Sequence, residues 1–123
     1  MAQEIHVNGY DEYVATADEN KGKTIFALFT GSKDSSGQSW CPDCVRADPV
    51  IKRNMKQLPS DAIFIHCNVG DRTFWKDQNN VFRKDSKLRL TAVPTLLKFG
   101  HPNQLKEEQC MKDDLIQMLF TEE

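Results

Sequence analysis

The stretch Trp40–Ile51, WCPDCVRADPVI, sets two of the chain's four cysteines, Cys41 and Cys44, two residues apart at the head of a helix-like pattern. Such a pair can be half of a metal site, a structural clip or a dithiol that cycles electrons. Beyond it, Ala47, Val50, Ile51 and Leu58 trace one helical face, interrupted by Pro49 and closed at Pro59. With Cys41 as N-cap, Pro42 falls at the first helical position, where proline is favoured, and Cys44 lies one turn on, facing its partner. Unpaired N–H groups and the positive end of the helix dipole then favour an anion on the Cys41 sulfur. Asp43 suits the dipole, yet its charge disfavours a second anion beside it, so Pro42 and Asp43 are expected to tune the pair.

The flanking segments place this motif at a strand-to-helix junction. Upstream, Thr24–Thr30 (TIFALFT) is a near-continuous apolar run of strand length, read as a central strand buried on both faces, and Gly31–Ser39 (GSKDSSGQS) is a polar loop leading to Trp40. Further upstream, Glu4–Val7 alternates as a short strand, and Asn8 is placed to cap a helix carrying Tyr10, Tyr13, Val14 and Ala17. Downstream, Ala62–Val69 is a second apolar strand, a helix is expected across Asn80–Asp85, and Pro94 stands at the entry to a third apolar run. Gln104–Glu107 reads as an edge strand, and Met111, Leu115, Met118 and Leu119 as the stripe of a closing helix. The order predicts one domain over residues 1–123, an α/β fold with a mixed sheet covered on both faces.

Length and composition narrow the function. A chain of 123 residues can bury a core without staples, and a net charge of -2 offers no basic face for nucleic acid. The N-terminus lacks a basic region followed by an apolar core, and no run reaches the roughly 20 apolar residues of a membrane span. A soluble, cytoplasmic monomer is therefore the expectation. In a reducing cytosol a close cysteine pair is more often metal-binding or catalytic than a permanent bridge.

Zinc usually takes two CxxC pairs, or CxxC with nearby histidines. Only one CxxC is present, and His6, His66 and His101 show no ligand spacing. Cys67 and Cys110 read as buried small hydrophobes. No metal is expected. What remains is redox chemistry, in which one thiolate attacks and a second thiol displaces it. Arg46, Asp48 and Lys33 read as solvated charges, with Lys33 long enough to reach the thiolate. Phe74 and Trp75 are open between groove lining and core plugs.

These residues carry a resemblance. WCPDCVRADPVI resembles the active-site helix of the thioredoxin family, including the kinking Pro49; TAVPTLLKF (Thr91–Phe99) resembles the family's cis-proline strand. The Pro-Asp dipeptide, the long loop before Trp40 and FWKDQNNVFRKD resemble one branch of that family more narrowly. The resemblance implies a three-layer α/β/α sandwich, a cis Pro94 facing the cysteines, and Trp40 and the Val93 backbone on the substrate side. It implies a disulfide reductase of restricted substrate range with Cys41 as nucleophile and Cys44 as resolving thiol. It implies no bound cofactor, with electrons supplied from NADPH through thioredoxin reductase. It also leaves room for a redox-sensitive binding module, with a dynein light chain as one such partner. One departure stands out: TIFALFT lacks the buried aspartate that ordinary thioredoxins carry on this strand, leaving Asp43 or water to take the proton of Cys44, or Cys44 to lose it without dedicated help.

Overall fold

A computed structural model describes residues 2–122. Strand β1 (Gln3–Asn8) leads to helix α1 (Gly9–Glu19), then β2 (Ile25–Thr30), α2 (Pro42–Asn54), β3 (Ile63–Asn68), the short helices α3 (Arg72–Lys76) and α4 (Val81–Lys84), the β4 (Thr95–Lys98) and β5 (Gln104–Lys106) hairpin, and α5 (Asp113–Thr121). The five strands lie in the order β1-β3-β2-β4-β5; β1, β3 and β2 are mutually parallel, and β4 and β5 add antiparallel. The apolar run TIFALFT thus becomes the central strand, as its lack of alternation predicts.

Alternate residues of β2 serve two cores. Ile25, Ala27 and Phe29 face α1, α3 and α4 together with Tyr13, Trp75 and Phe82; Phe26 and Leu28 face α2 and α5 together with Ala47, Ile51, Ile116 and Phe120. The result is the expected three-layer sandwich. Each fully buried Phe or Leu in these layers contributes about 1.5–3 kcal/mol relative to exposure.

Three local expectations change. The helical pattern near Asn80 is there, but α3 precedes it: Asp71 accepts the Phe74 N–H at 2.8 Å, a cap that starts a turn over a run with no clear periodicity. The closing helix begins only at Asp113, and its buried face is Ile116, Leu119 and Phe120, with Met118 59% exposed. Asn8 sits at the N-cap of α1 without capping through its side chain; instead its N–H donates to the Glu12 carboxylate at 2.9 Å, and its amide oxygen accepts from Asn68 at 3.2 Å.

The C-terminal end of α2 is held by a polar network. Buried Asn54 donates to the Val50 carbonyl (2.8 Å) and to Asp113 (2.7 Å) and accepts from Gln117 (2.9 Å). Arg53 adds two parallel bonds to Asp113 at 2.9 and 2.7 Å. At the far edge of the sheet, burial lowers the pKa of His66, opposed by the Glu4 carboxylate that bonds its Nε2 at 2.8 Å.

The Arg53 and Asn54 hydrogen bonds hold the Asp113 carboxyl down to about 2. Its folded value lies below the unfolded one, so its stabilisation is complete above the ordinary carboxylate range and is lost as pH falls toward about 2. Asp113→Ala should therefore melt below the parent at pH 7, and the two melting curves should converge in acid. A difference that stays constant from neutral pH to pH 2 would contradict the assignment.

Candidate active site

Helix α2 starts where the parallel strands end, the usual place for a site in an α/β sheet. Cys41 occupies its N-cap with extended backbone (φ -95°, ψ 107°), and Pro42 is its first residue. Both placements follow from the sequence, since proline tolerates a position whose N–H has no helical acceptor. The Cys44 N–H donates to Cys41 Sγ at 3.1 Å. Cys41 and Cys44 are disulfide-bonded, with Cα atoms 5.2 Å apart. A sulfur at this position meets a free amide and the helix dipole, both of which favour negative charge on it.

The segment before β4 closes over the pair. The Val93–Pro94 peptide is cis, and the Val93 carbonyl lies 3.6 Å from Cys41 Sγ. Pro94 in turn accepts the Glu107 N–H at 2.8 Å, tying this turn to the chain after β5. Cys41 and Cys44 are each only 4% exposed, packed in the apolar cluster that includes Phe29, Leu90 and Val93, with Trp40 against it. In the disulfide state both sulfurs are thus covered.

Trp40 is set by two glycines. Its indole N–H donates to the Gly70 carbonyl at 2.9 Å, and its ring lies so close to Gly31 that a β-carbon there would fall 2.5 Å from the ring. Ser39 links the same elements, donating to the Gly31 carbonyl at 2.9 Å and accepting the Cys41 N–H at 3.2 Å. The polar loop is ordered rather than a loose connection. Asp34 accepts from the Ser36 hydroxyl and from the Ser36 and Gln38 amides, bonds that lower its pKa, while Lys33 and Ser39 form a β-bridge.

The charges around the pair are solvated, as their sequence reading has them, and two of them are paired. Arg46 forms an ion pair with Asp43 at 2.5 Å, one turn along α2. Beyond them opens a groove of about 640 Å³ lined also by Lys106, Glu107, Glu108, Gln109 and Met111. Lys33 lines a separate groove with His66 and Asp48. Among the described residues no carboxylate is buried, in keeping with the missing strand aspartate. Trp75 is a core plug with Arg83 stacked 4.1 Å from its ring centre, whereas Phe74 is 43% exposed and packs on Gly70. Cys67 and Cys110 are buried, and burial pushes each thiol up to about 12, which matches their reading as small hydrophobes.

Sequence reasoning did not single out Gly31, Gly70, Ser39 or the Arg46 partner of Asp43. Gly31 immediately after a strand and Gly70 at the matching end of the next one were the available signals. The spacing of Asp43 and Arg46 was another, since residues three apart on a helix are neighbours.

A mixed five-stranded sheet between helices, with a CxxC disulfide at a helix N-terminus beside a cis-proline, defines a thioredoxin-like α/β protein. Solved thioredoxins share this fold: thioredoxin O1 of Arabidopsis thaliana in the oxidised state superposes with a TM-score of 0.60 at 23% identity, over 96% of this chain and 98% of that one. A reduced thioredoxin pre-protein of Schistosoma mansoni gives 0.58 at 16% identity, over 95% and 98%. The chain belongs to the family described as "Thioredoxin domain-containing protein 17-like, thioredoxin domain", which matches residues 6–122. Thioredoxin domain-containing protein 17 of Epinephelus coioides is 52% identical over 121 residues, covering 98% of this chain and 97% of that protein; the Homo sapiens protein is 50% identical with the same coverage. Membership carries the general redox role of thioredoxin-like proteins. No helix among the described residues is long and apolar enough to cross a membrane.

Gly31→Ala tests the seat of Trp40. The added carbon must push the indole off its acceptor, at a cost of about 1–3 kcal/mol in lost packing and hydrogen bonding. The expected result is a lower melting temperature and a red-shifted emission component from Trp40, measured in a Trp75→Phe background; unchanged emission and stability would refute the contact.

Proposed function

We propose that the protein is a dithiol-disulfide oxidoreductase acting as a reductant. The observation that supports this most directly is the Cys44 amide aimed at the Cys41 sulfur at the first turn of α2, an arrangement that stabilises a thiolate rather than an inert thiol. In this reading the Cys41 thiolate attacks one sulfur of a substrate disulfide. The departing sulfur leaves as a thiolate and takes a proton from solvent. Cys44 loses its proton and attacks Cys41, which releases the second substrate thiol and leaves the Cys41–Cys44 disulfide. Two electrons from NADPH, delivered through thioredoxin reductase, restore the dithiol. The protein needs no bound cofactor for these steps and works as a cytoplasmic monomer.

Substrate disulfides approach across Trp40, with the backbone of Val93 pairing to them as an added strand next to Pro94. Nitrosothiols and persulfides of small molecules or proteins offer the same attackable sulfur. We assign the proton of Cys44 to water, because the Asp43 carboxylate is engaged in an ion pair with Arg46. Pro42 fixes the first turn, and the Asp43–Arg46 pair sets how much negative charge the thiolate meets.

Cys41→Ser should abolish reduction of a disulfide reporter coupled to NADPH and thioredoxin reductase, and Cys44→Ser should accumulate mixed disulfides visible on non-reducing gels. Turnover retained without Cys41 would sink the reading. A cellular effect that survives Cys41→Ser would point instead to the binding-module alternative, with a dynein light chain among the candidates.

The ion pair makes a second prediction. Asp43→Asn removes a negative charge near the thiolate and should raise the reduction potential; Arg46→Ala exposes that charge and should lower it. For a solvent-exposed pair worth roughly 0.5–1 kcal/mol the shifts are about 10–20 mV each. Equilibration against glutathione measures both. Shifts of the same sign would show that the pair does not act through charge.

A further inference from the structure

We propose that Glu4, His6 and His66 form a site for a divalent transition-metal ion of the Zn²⁺ class, on the β1–β3 side of the sheet and apart from the cysteine pair. The linear sequence hides it, because the two histidines are distant in the chain. Parallel pairing of β1 with β3 sets His6 directly beside His66, and Glu4, two residues before His6 on the same strand, projects from the same face. Strand period and register together converge three metal-binding side chains.

The geometry is close to what such an ion requires. The candidate donor atoms of Glu4, His6 and His66 all lie within 4.8 Å of one another, and Glu4 Oε1 is 2.8 Å from His66 Nε2. A tetrahedral ion with ligands at about 2.0–2.1 Å separates its donors by roughly 3.3 Å, so the Glu4–His66 pair needs only slight opening. The His6 and His66 rings are stacked, 4.2 Å between centres and 7° from parallel. Parallel rings do not aim their lone pairs at one point, so the exposed His6 side chain turns when the ion enters while the half-buried His66 stays in place.

The surroundings fit a three-ligand set with a fourth position left open. The three side chains line a groove of about 490 Å³ that also receives Lys33, Asp48, Lys52 and Asn68. Two neutral imidazoles and one carboxylate leave a bound divalent ion with a single net positive charge. Asp48 supplies a further negative charge across the groove, tempered by its 2.9 Å ion pair with Lys52. Two nitrogen donors and one oxygen suit Zn²⁺, Cu²⁺ or Ni²⁺, whereas Mg²⁺ and Ca²⁺ require oxygen-rich cages. The competing account of the cluster is a Glu4–His66 hydrogen bond on an ordinary sheet edge, and it predicts no metal affinity.

The test uses the full chain with its Cys41–Cys44 disulfide intact, so that the dithiol cannot capture metal. Zn²⁺ is titrated at pH 7.5 against a chromophoric chelator, and Co²⁺ absorption reports the coordination. The expected result is one Zn²⁺ per chain and a tetrahedral or five-coordinate Co²⁺ spectrum. Affinity should weaken roughly tenfold or more in His6→Ala and in His66→Ala, with no competition from Mg²⁺. Metal-free melts confirm that each variant is folded; if His66→Ala is not, His6→Ala and Glu4→Gln decide alone. The proposal is overturned by an absence of Zn²⁺ binding, or by affinity unchanged in the folded variants.

Discussion

The hydrogen bond from the Cys44 amide to the Cys41 sulfur is the constraint around which the rest of the molecule is arranged. It exists only if α2 begins at Pro42, and α2 begins there because Cys41 keeps extended backbone while the next residue has no N–H to satisfy. The helix must also stay where it is. Ala47 and Ile51 anchor its middle to Phe26, Leu28 and Phe64, and buried Asn54 anchors its far end to α5 through Asp113 and Gln117. Pro49 removes one internal hydrogen bond at the centre of α2, and anchoring on both sides of it keeps the first turn in register with the strand ends.

The approach to that turn is controlled by backbone as much as by side chains. Gly31 and Gly70 end neighbouring parallel strands, and the indole of Trp40 bridges them, resting on the first and donating to the carbonyl of the second. Ser39 joins the same strand end to the amide of Cys41. The polar loop therefore works as a fixed shoulder beside the disulfide. On the opposite side, the Glu107 amide holds the Pro94 carbonyl, so the Val93 turn and the charged groove from Asp43 to Met111 form a second fixed wall.

What the sequence made legible, and what it hid, divides along the range of the interactions. The central strand, the start of α2 and the inert character of Cys67 and Cys110 rest on local pattern: an apolar run, a proline at the first turn, lone thiols in apolar company; the cis Pro94 came from the family resemblance. The closing helix was found and Leu119 lies on its buried face, but packing against Phe26, Phe64 and α2 buries Ile116 and Phe120 in place of Met118, a choice that tertiary contacts make. The Trp40 seat and the convergence of Glu4, His6 and His66 depend on which strands are neighbours. Sheet order places β3 between β1 and β2, and no local pattern near His6 or Gly31 encodes that choice.

Burial of the disulfide gives the site its discrimination under the proposed chemistry. With each cysteine only 4% exposed, an attacking thiolate must leave water before it can reach Cys41, and an unpaired charge is costly to desolvate. A partner that brings its own apolar surface and backbone hydrogen-bonding groups replaces the lost water contacts as it covers Trp40 and Val93. A small, fully hydrated thiol brings neither. The same cover strengthens the Cys44 amide bond and the helix field at the sulfur, since both act in a medium of lower effective dielectric. One layer of apolar packing therefore acts in two opposed ways on a thiolate, removing water from it while strengthening the amide bond and helix field that hold it. It also limits which partners can reach the sulfur.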